Sequence, residues 1–115
     1  MENAILSISH SSYIHNVGGM EKVILEQCDV ANKRGYTFIA VYPNCNNITL
    51  KGHVLVHRFQ SYGVHINKGE AAAMDKQTLQ QLLLSYNIEK VFIHSLIAYS
   101  FDQINEILKK KQEDA

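Results

Sequence analysis

Apolar and polar positions alternate along this chain between two rhythms. The run "NAILSIS", residues 3 to 9, is short, rich in apolar residues and followed by polar turn residues, the pattern of a buried strand. Met20, Val23, Ile24, Gln27, Cys28 and Ala31 then recur at spacings of three and four, which predicts a helix with one buried face. Lys33 and Arg34 complement the negative end of that helix, and Gly35 supplies a left-handed stop. "YTFIAVY", residues 36 to 42, is a second strand closed by Pro43, which cannot donate to a ladder. A polar stretch, "NCNNITLKG", leads to "HVLVHRF", residues 53 to 59, read as a third strand. Residues 60 to 74 hold Gly63, Gly69 and an alanine run, and the pattern assigns them no element. Asp75 is placed to cap a helix in which Leu79, Leu82, Leu83 and Tyr86 share a face. "IEKVFIHS", residues 88 to 95, reads as a fourth strand, and Ile97, Phe101, Ile104 and Leu108 mark a final helix ended by Lys109, Lys110 and Lys111.

The mostly alternating order predicts an α/β fold: a Rossmann-like three-layer sandwich with a mainly parallel sheet and helices on both faces. Right-handed crossovers set the second strand beside the first, and a long connection carries the chain to the first strand's other side, giving an expected spatial order 3-2-1-4. The crevice at the carboxyl ends of strands 1 and 4 is then the default ligand site. The loop at residues 10 to 19 falls there, and so do His94 and Ser95.

At 115 residues, one domain spanning residues 1–115 is expected. Eleven Lys+Arg balance eleven Asp+Glu, so no overall field recruits nucleic acid. The start, Met-Glu-Asn-Ala-Ile-Leu, has neither a basic region nor a long apolar run, so a cytoplasmic location is expected, or a peripheral one at the inner face of a membrane. Cys28 and Cys45 form no Cys-x-x-Cys motif, and Cys28 falls on the apolar stripe of the first helix, as a buried thiol would.

The glycine pair Gly18-Gly19 permits close backbone approach, and the first turn of the helix that follows offers free N–H groups to an anion. "NVGGME" is neither the dinucleotide fingerprint nor a P-loop, so its spacing leaves phosphate binding and a plain turn both open. His94, where the fourth strand ends, is suited to act as a general base or to bind a hydroxyl or phosphate; a hydrogen-bonded histidine closing the strand is the simpler alternative. His53 and His57 share a strand face without a third metal ligand, and no metal site is assigned. There is no paired-carboxylate or Ser/His/Asp motif.

The run from Ile5 to Pro43, "ILSISHSSYIHNVGGMEKVILEQCDVANKRGYTFIAVYP", resembles the opening of the family-4 retaining glycosyltransferases, and "IEKVFIHS" resembles that family's fourth-strand motif. The resemblance implies the N-terminal, acceptor-side domain of a GT-B enzyme that transfers a sugar from a nucleotide-sugar donor to a carbohydrate or lipid-linked acceptor, as in polysaccharide or glycoconjugate synthesis. It implies no cofactor. It matches Gly18 and Gly19 to the glycines lying against the donor diphosphate, and His94 to the histidine near the reacting sugar. His10, Tyr13, His15, Glu21 and Ser95 match positions associated with the acceptor side. Ile14 and His15 stand where the family often has prolines, and Phe92 replaces the motif's first histidine.

The resemblance covers the chain to about residue 108 and does not reach the family's second, donor-binding domain. Activity is therefore not expected from this chain alone, since groups that stabilise the leaving diphosphate would come from that domain. An exposed edge at the fourth strand would favour self-association. Two other readings are a noncatalytic Rossmann- or flavodoxin-like module that binds a nucleotide or partner, and a structural subunit completed by a partner.

Overall fold

The computed structural model describes residues 1–9, 19–43, 48–51, 54–57, 61–69, 72–94 and 109; for 19–21, 43, 48–51 and 54–57 it describes the backbone alone. Strand β1 (Glu2–Ile8) leads to helix α1 (Gly19–Lys33) and strand β2 (Thr37–Pro43). Short strands β3 (Ile48–Lys51) and β4 (Val54–His57) follow, then β5 (Tyr62–Ile66), β6 (Ala72–Met74), helix α2 (Lys76–Leu84) and β7 (Tyr86–Ile93). The main sheet has the order β6-β5-β2-β1-β7.

The expected order 3-2-1-4 and the mainly parallel sheet are both overturned. β1 pairs in parallel with β2 and with β7, but β2–β5 and β5–β6 are antiparallel, so the sheet is mixed. The expected third strand supplies β4, which pairs only with β3 in a separate two-stranded sheet. The place beside β2 belongs to β5, from the stretch to which the pattern assigned nothing. The cause is the connection: parallel neighbours need a crossover, usually helical, whereas the described elements between β2 and β5 are the two strands of a hairpin. The returning strand therefore runs antiparallel to β2. The final helix expected over 97–108 lies outside the described residues.

Local chemistry explains the elements that position the crevice. Helix α1 ends in a Schellman motif: Gly35 takes φ 83°, the Tyr36 amide donates to the Ala31 carbonyl (2.9 Å) and the Gly35 amide to that of Asn32 (3.1 Å). Helix α2 starts at its N-cap, where the Asp75 carboxylate accepts from the Thr78 amide at 2.7 Å. A hydrogen bond from the Thr78 side chain, followed by that amide bond, holds the Asp75 carboxyl below its ordinary value.

The helices lie on opposite faces of the sheet. On one, Leu79 and Leu83 of α2 pack with Ala4, Leu6, Ile8, Ile39, Val41, Tyr62 and Val64. On the other, Ile24, Cys28 and Ala31 of α1 pack with Phe38 and Ala40. Cys28 is a fully buried free thiol whose pKa is raised mainly by burial. β1 alternates between the faces, sending Ala4, Leu6 and Ile8 toward α2 and leaving Ile5 toward α1.

Gly63, which reads in the sequence as a strand breaker, is required where it stands. It opposes Tyr42 in the β2–β5 ladder, and a Cβ there would lie 2.3 Å from the Tyr42 ring. That ring is fixed in turn by His65, which is buried. The His65 Nδ1–H donates to the Gly69 carbonyl (2.7 Å), which can only accept, and Nε2 hydrogen-bonds with the Tyr42 hydroxyl at 3.3 Å. The β5–β6 turn is also tied down by Asn67, at φ 54°, whose side-chain oxygen accepts from the Phe38 amide. Lys68 pairs with Asp29 of α1.

β7 is an edge strand among the described elements, and it carries a bulge. Ile88 opposes Ala4 and Lys90 opposes Ile5, so Glu89 is the extra residue. The bulge lets Ile88 pack on the α2 side while Lys90 and Phe92 follow Ile5 and Ser7 on the α1 side. A bulge and adjacent charges in mid-strand oppose edge-to-edge pairing with another sheet.

Gly63→Ala is expected to destabilise the chain by about 1–3 kcal/mol through overpacking against Tyr42. Urea denaturation of Gly63→Ala, Tyr42→Leu and the double variant checks this: the double variant recovers part of the loss if the ring is the obstacle.

Candidate functional site

β1 is where the chain's two crossovers diverge: α1 leads from it on one face to β2, and α2 leads on the other face into β7. The carboxyl ends of β1 and β7 thus flank a topological switch point. The last ladder contact there runs from the His94 amide to the Ile8 carbonyl, 2.9 Å, and it brings His94 beside Ser9. Ser9 is buried, and its own amide donates to Val41 of β2 at 3.0 Å. The chain leaving β1 at Ser9 returns at Gly19, the first residue of α1.

Of the residues singled out in the sequence, His94 is described completely. Gly19 opens α1, so the free N–H groups of the helix begin at the glycine pair. Glu21 lies in the first turn of α1. His10, Tyr13, His15, Gly18 and Ser95 lie outside the described residues.

The His94 side chain follows Phe92 on the α1 side of the sheet; the two rings lie 6.4 Å apart and tilted by 33°. Its Nε2 is buried and has no hydrogen-bond partner among the described residues. Burial lowers the His94 pKa below the ordinary imidazole value, because the charged ring loses solvation without gaining a partner. A neutral ring can accept a proton or a hydrogen bond through one nitrogen, the state needed to bind or deprotonate a hydroxyl.

Below the crevice, a groove of about 430 Å³ runs between α1 and β7. Its walls include Ile5, Val23, Gln27, Val30, Ala31 and Phe92. At its far end the Tyr36 hydroxyl hydrogen-bonds to Glu89, which raises the Tyr36 pKa, and Arg34 and Lys90 stand beside them. The sequence reading missed this groove because it depends on the bulge at Glu89, which no periodicity announces. No group of three or more His, Cys, Asp or Glu side chains suited to a metal occurs among the described residues. No described helix is long and apolar enough to cross a membrane.

The burial of His94 sets a pH dependence. With its folded pKa below the unfolded value of about 6.5, the unfolded chain takes up the proton first as pH falls. Stability attributable to His94 is complete above the unfolded pKa, declines as pH drops below it, and levels off once the folded ring is also protonated. The His94 proton resonances should titrate with a midpoint below about 6.5. His94→Gln should flatten the rise in urea midpoint with pH over that window.

Comparison with protein-family models, with curated proteins and with solved structures gives no match.

Proposed function

We propose that this chain is the acceptor-side domain of a nucleotide-sugar-dependent glycosyltransferase, supplying part of the donor-diphosphate site and the residue nearest the reacting sugar. The observation that carries the reading is the His94 amide bonded to Ile8, which sets a half-buried imidazole, its Nε2 without a hydrogen-bond partner among the described residues, at the end of β1, from which the chain runs on to Gly19 and the α1 N-terminus. A helix N-terminus favours a diphosphate through its free N–H groups and its dipole. A neutral imidazole at the end of β1 suits a sugar hydroxyl. The resemblance of "ILSISHSSYIHNVGGMEK" and "IEKVFIHS" to the family-4 enzymes supports the same assignment, with Gly18 and Gly19 toward the diphosphate and His10, Tyr13, His15, Glu21 and Ser95 toward the acceptor.

The groups around a leaving diphosphate must come from more than one helix terminus to stabilise its developing charge. In this reading a second, donor-binding domain supplies them, and the isolated chain binds donors weakly and turns over none. The whole enzyme works in the cytoplasm, where nucleotide-sugars are made, or at the inner face of a membrane.

Amide-resolved titration of the full chain with pyrophosphate, UDP-glucose and GDP-mannose tests the reading. Weak binding is expected, with dissociation constants of about millimolar or above and the largest shifts at Gly19 and His94. Shifts confined to other parts of the sheet would overturn it. Sub-micromolar binding of a free nucleotide would instead identify a noncatalytic nucleotide-binding module.

A further inference from the structure

Among the described elements β7 is the outermost strand of the main sheet, on the side of β1 away from β2. Asn87, Glu89, Lys90, Val91 and Ile93 along it are exposed. Val91 and Ile93 are 37% and 40% exposed, although their register partners on β1, Leu6 and Ile8, are fully buried. The direction of the backbone follows from one bond. The His94 amide donates to Ile8, so His94 turns its backbone toward β1. That direction alternates along a strand together with side-chain facing. Phe92 and Lys90 therefore also turn toward β1, and Val91 and Ile93, which face α2 as Leu6 and Ile8 do, turn away from it. Ahead of the bulge the residues facing α2 are Tyr86 and Ile88. The α2-facing positions of β7 are thus 86, 88, 91 and 93, with a step of three where an unbulged strand has a step of two.

We propose that β7 is an interface between two copies of this chain, paired antiparallel about a twofold axis that passes between Glu89 and Lys90. Residues directly opposite each other in an antiparallel pair must face the same side of the sheet. An unbulged strand cannot meet the stepped pattern of β7 over its whole length, but β7 reversed carries the same step in the same place. Only the register that sets Ile88 opposite the partner's Val91 keeps like facing on both sides of the bulge. It sets Tyr86 opposite the partner's Ile93, so both apolar pairs lie on the α2 side, where Val91 and Ile93 are exposed. On the α1 side it sets Asn87 opposite the partner's Phe92.

Charge selects the same register. At the axis Glu89 lies opposite the partner's Lys90, and Lys90 opposite the partner's Glu89, so the two exposed mid-strand charges form two opposite-sign pairs. The Glu89 carboxylate keeps lone pairs beyond the one that the Tyr36 hydroxyl uses. Against an unmatched sheet the bulge and these charges oppose pairing; against a second copy each meets its own complement, as a twofold interface requires. The pairing joins two five-stranded sheets into one. It uses none of the residues assigned to the crevice, so it stands apart from the glycosyltransferase reading.

Sedimentation equilibrium of the full chain tests this, and a reversible, concentration-dependent dimer is expected. Glu89→Lys and Lys90→Glu, both at exposed positions, each turn the two attractions into repulsions and should weaken dimerisation about tenfold. An equimolar mixture of the two variants restores both opposite-sign pairs and should recover the dimer as a heterodimer. In a sample mixing isotopically labelled and unlabelled chain, intermolecular Overhauser contacts are expected between the α-protons of Asn87 and Phe92, a pair that approaches closely because it is not hydrogen-bonded. Those contacts and the dimer itself are read on the unaltered chain, so the outcome does not hang on how the variants fold. A chain that stays monomeric up to about millimolar concentration, or intermolecular contacts at another element, would overturn the proposal. So would folded variants that dimerise like the unaltered chain, or a mixture that associates no more tightly than either variant alone.

Discussion

Parallel pairing of β1 with a strand on each side fixes the frame on which both helices pack. β1 sits between β2 and β7, and Ala4, Leu6 and Ile8 are fully buried against α2 on one face. Its opposite face is buried as well at Ser7, beneath the α1 side. A strand enclosed this way must end with its carboxyl terminus open between two diverging crossovers, and the chain leaving it must bridge to α1 there. The crevice is thus a consequence of topology, and the residues that close β1 and β7 inherit it.

Two small departures from regular geometry shape what the crevice offers. The bulge at Glu89 corrects the facing of β7, so that Ile88 joins the α2-side core while Phe92 stands beside Ser7. It also places Glu89 within reach of Tyr36, closing the lower end of the groove. On the other flank, Gly63 leaves room for the Tyr42 ring, and the Tyr42–His65–Gly69 bonds lock the antiparallel strands onto β2. Among the described residues, one flank is fixed by packing, and the other carries an edge strand and an open groove.

Local signals were legible in the sequence where the physics is local. Gly35 announced the end of α1 and Asp75 the start of α2, because a left-handed C-terminus and an N-cap each depend on one residue's own conformation and side chain. The facing of "IEKVFIHS" was not legible. Read as an unbroken alternation it puts Ile88 on the His94 side, and the break at Glu89 appears only when β7 is laid against β1. The strand at 62–66 was hidden for a related reason: Gly63 marks a break when read alone, and becomes intelligible once the Tyr42 ring occupies the space of its missing Cβ. "HVLVHRF" was legible as a strand, since β4 lies within it, but its partner was not, because hairpin and sheet pairings present the same apolar alternation. Of the candidate site, His94 was found by its position at a strand end.

In the proposed function, the imidazole of His94 and the glycine pair before α1 share one crevice at the end of β1. A nuclear Overhauser measurement on the isotopically labelled full chain tests it most directly. Cross-peaks from the His94 ring protons to Gly19, alongside those to Phe92, are expected. A His94 ring with contacts to Phe92 and β1 but none to Gly18 or Gly19 would contradict it, and would leave the glycines as a turn into the helix.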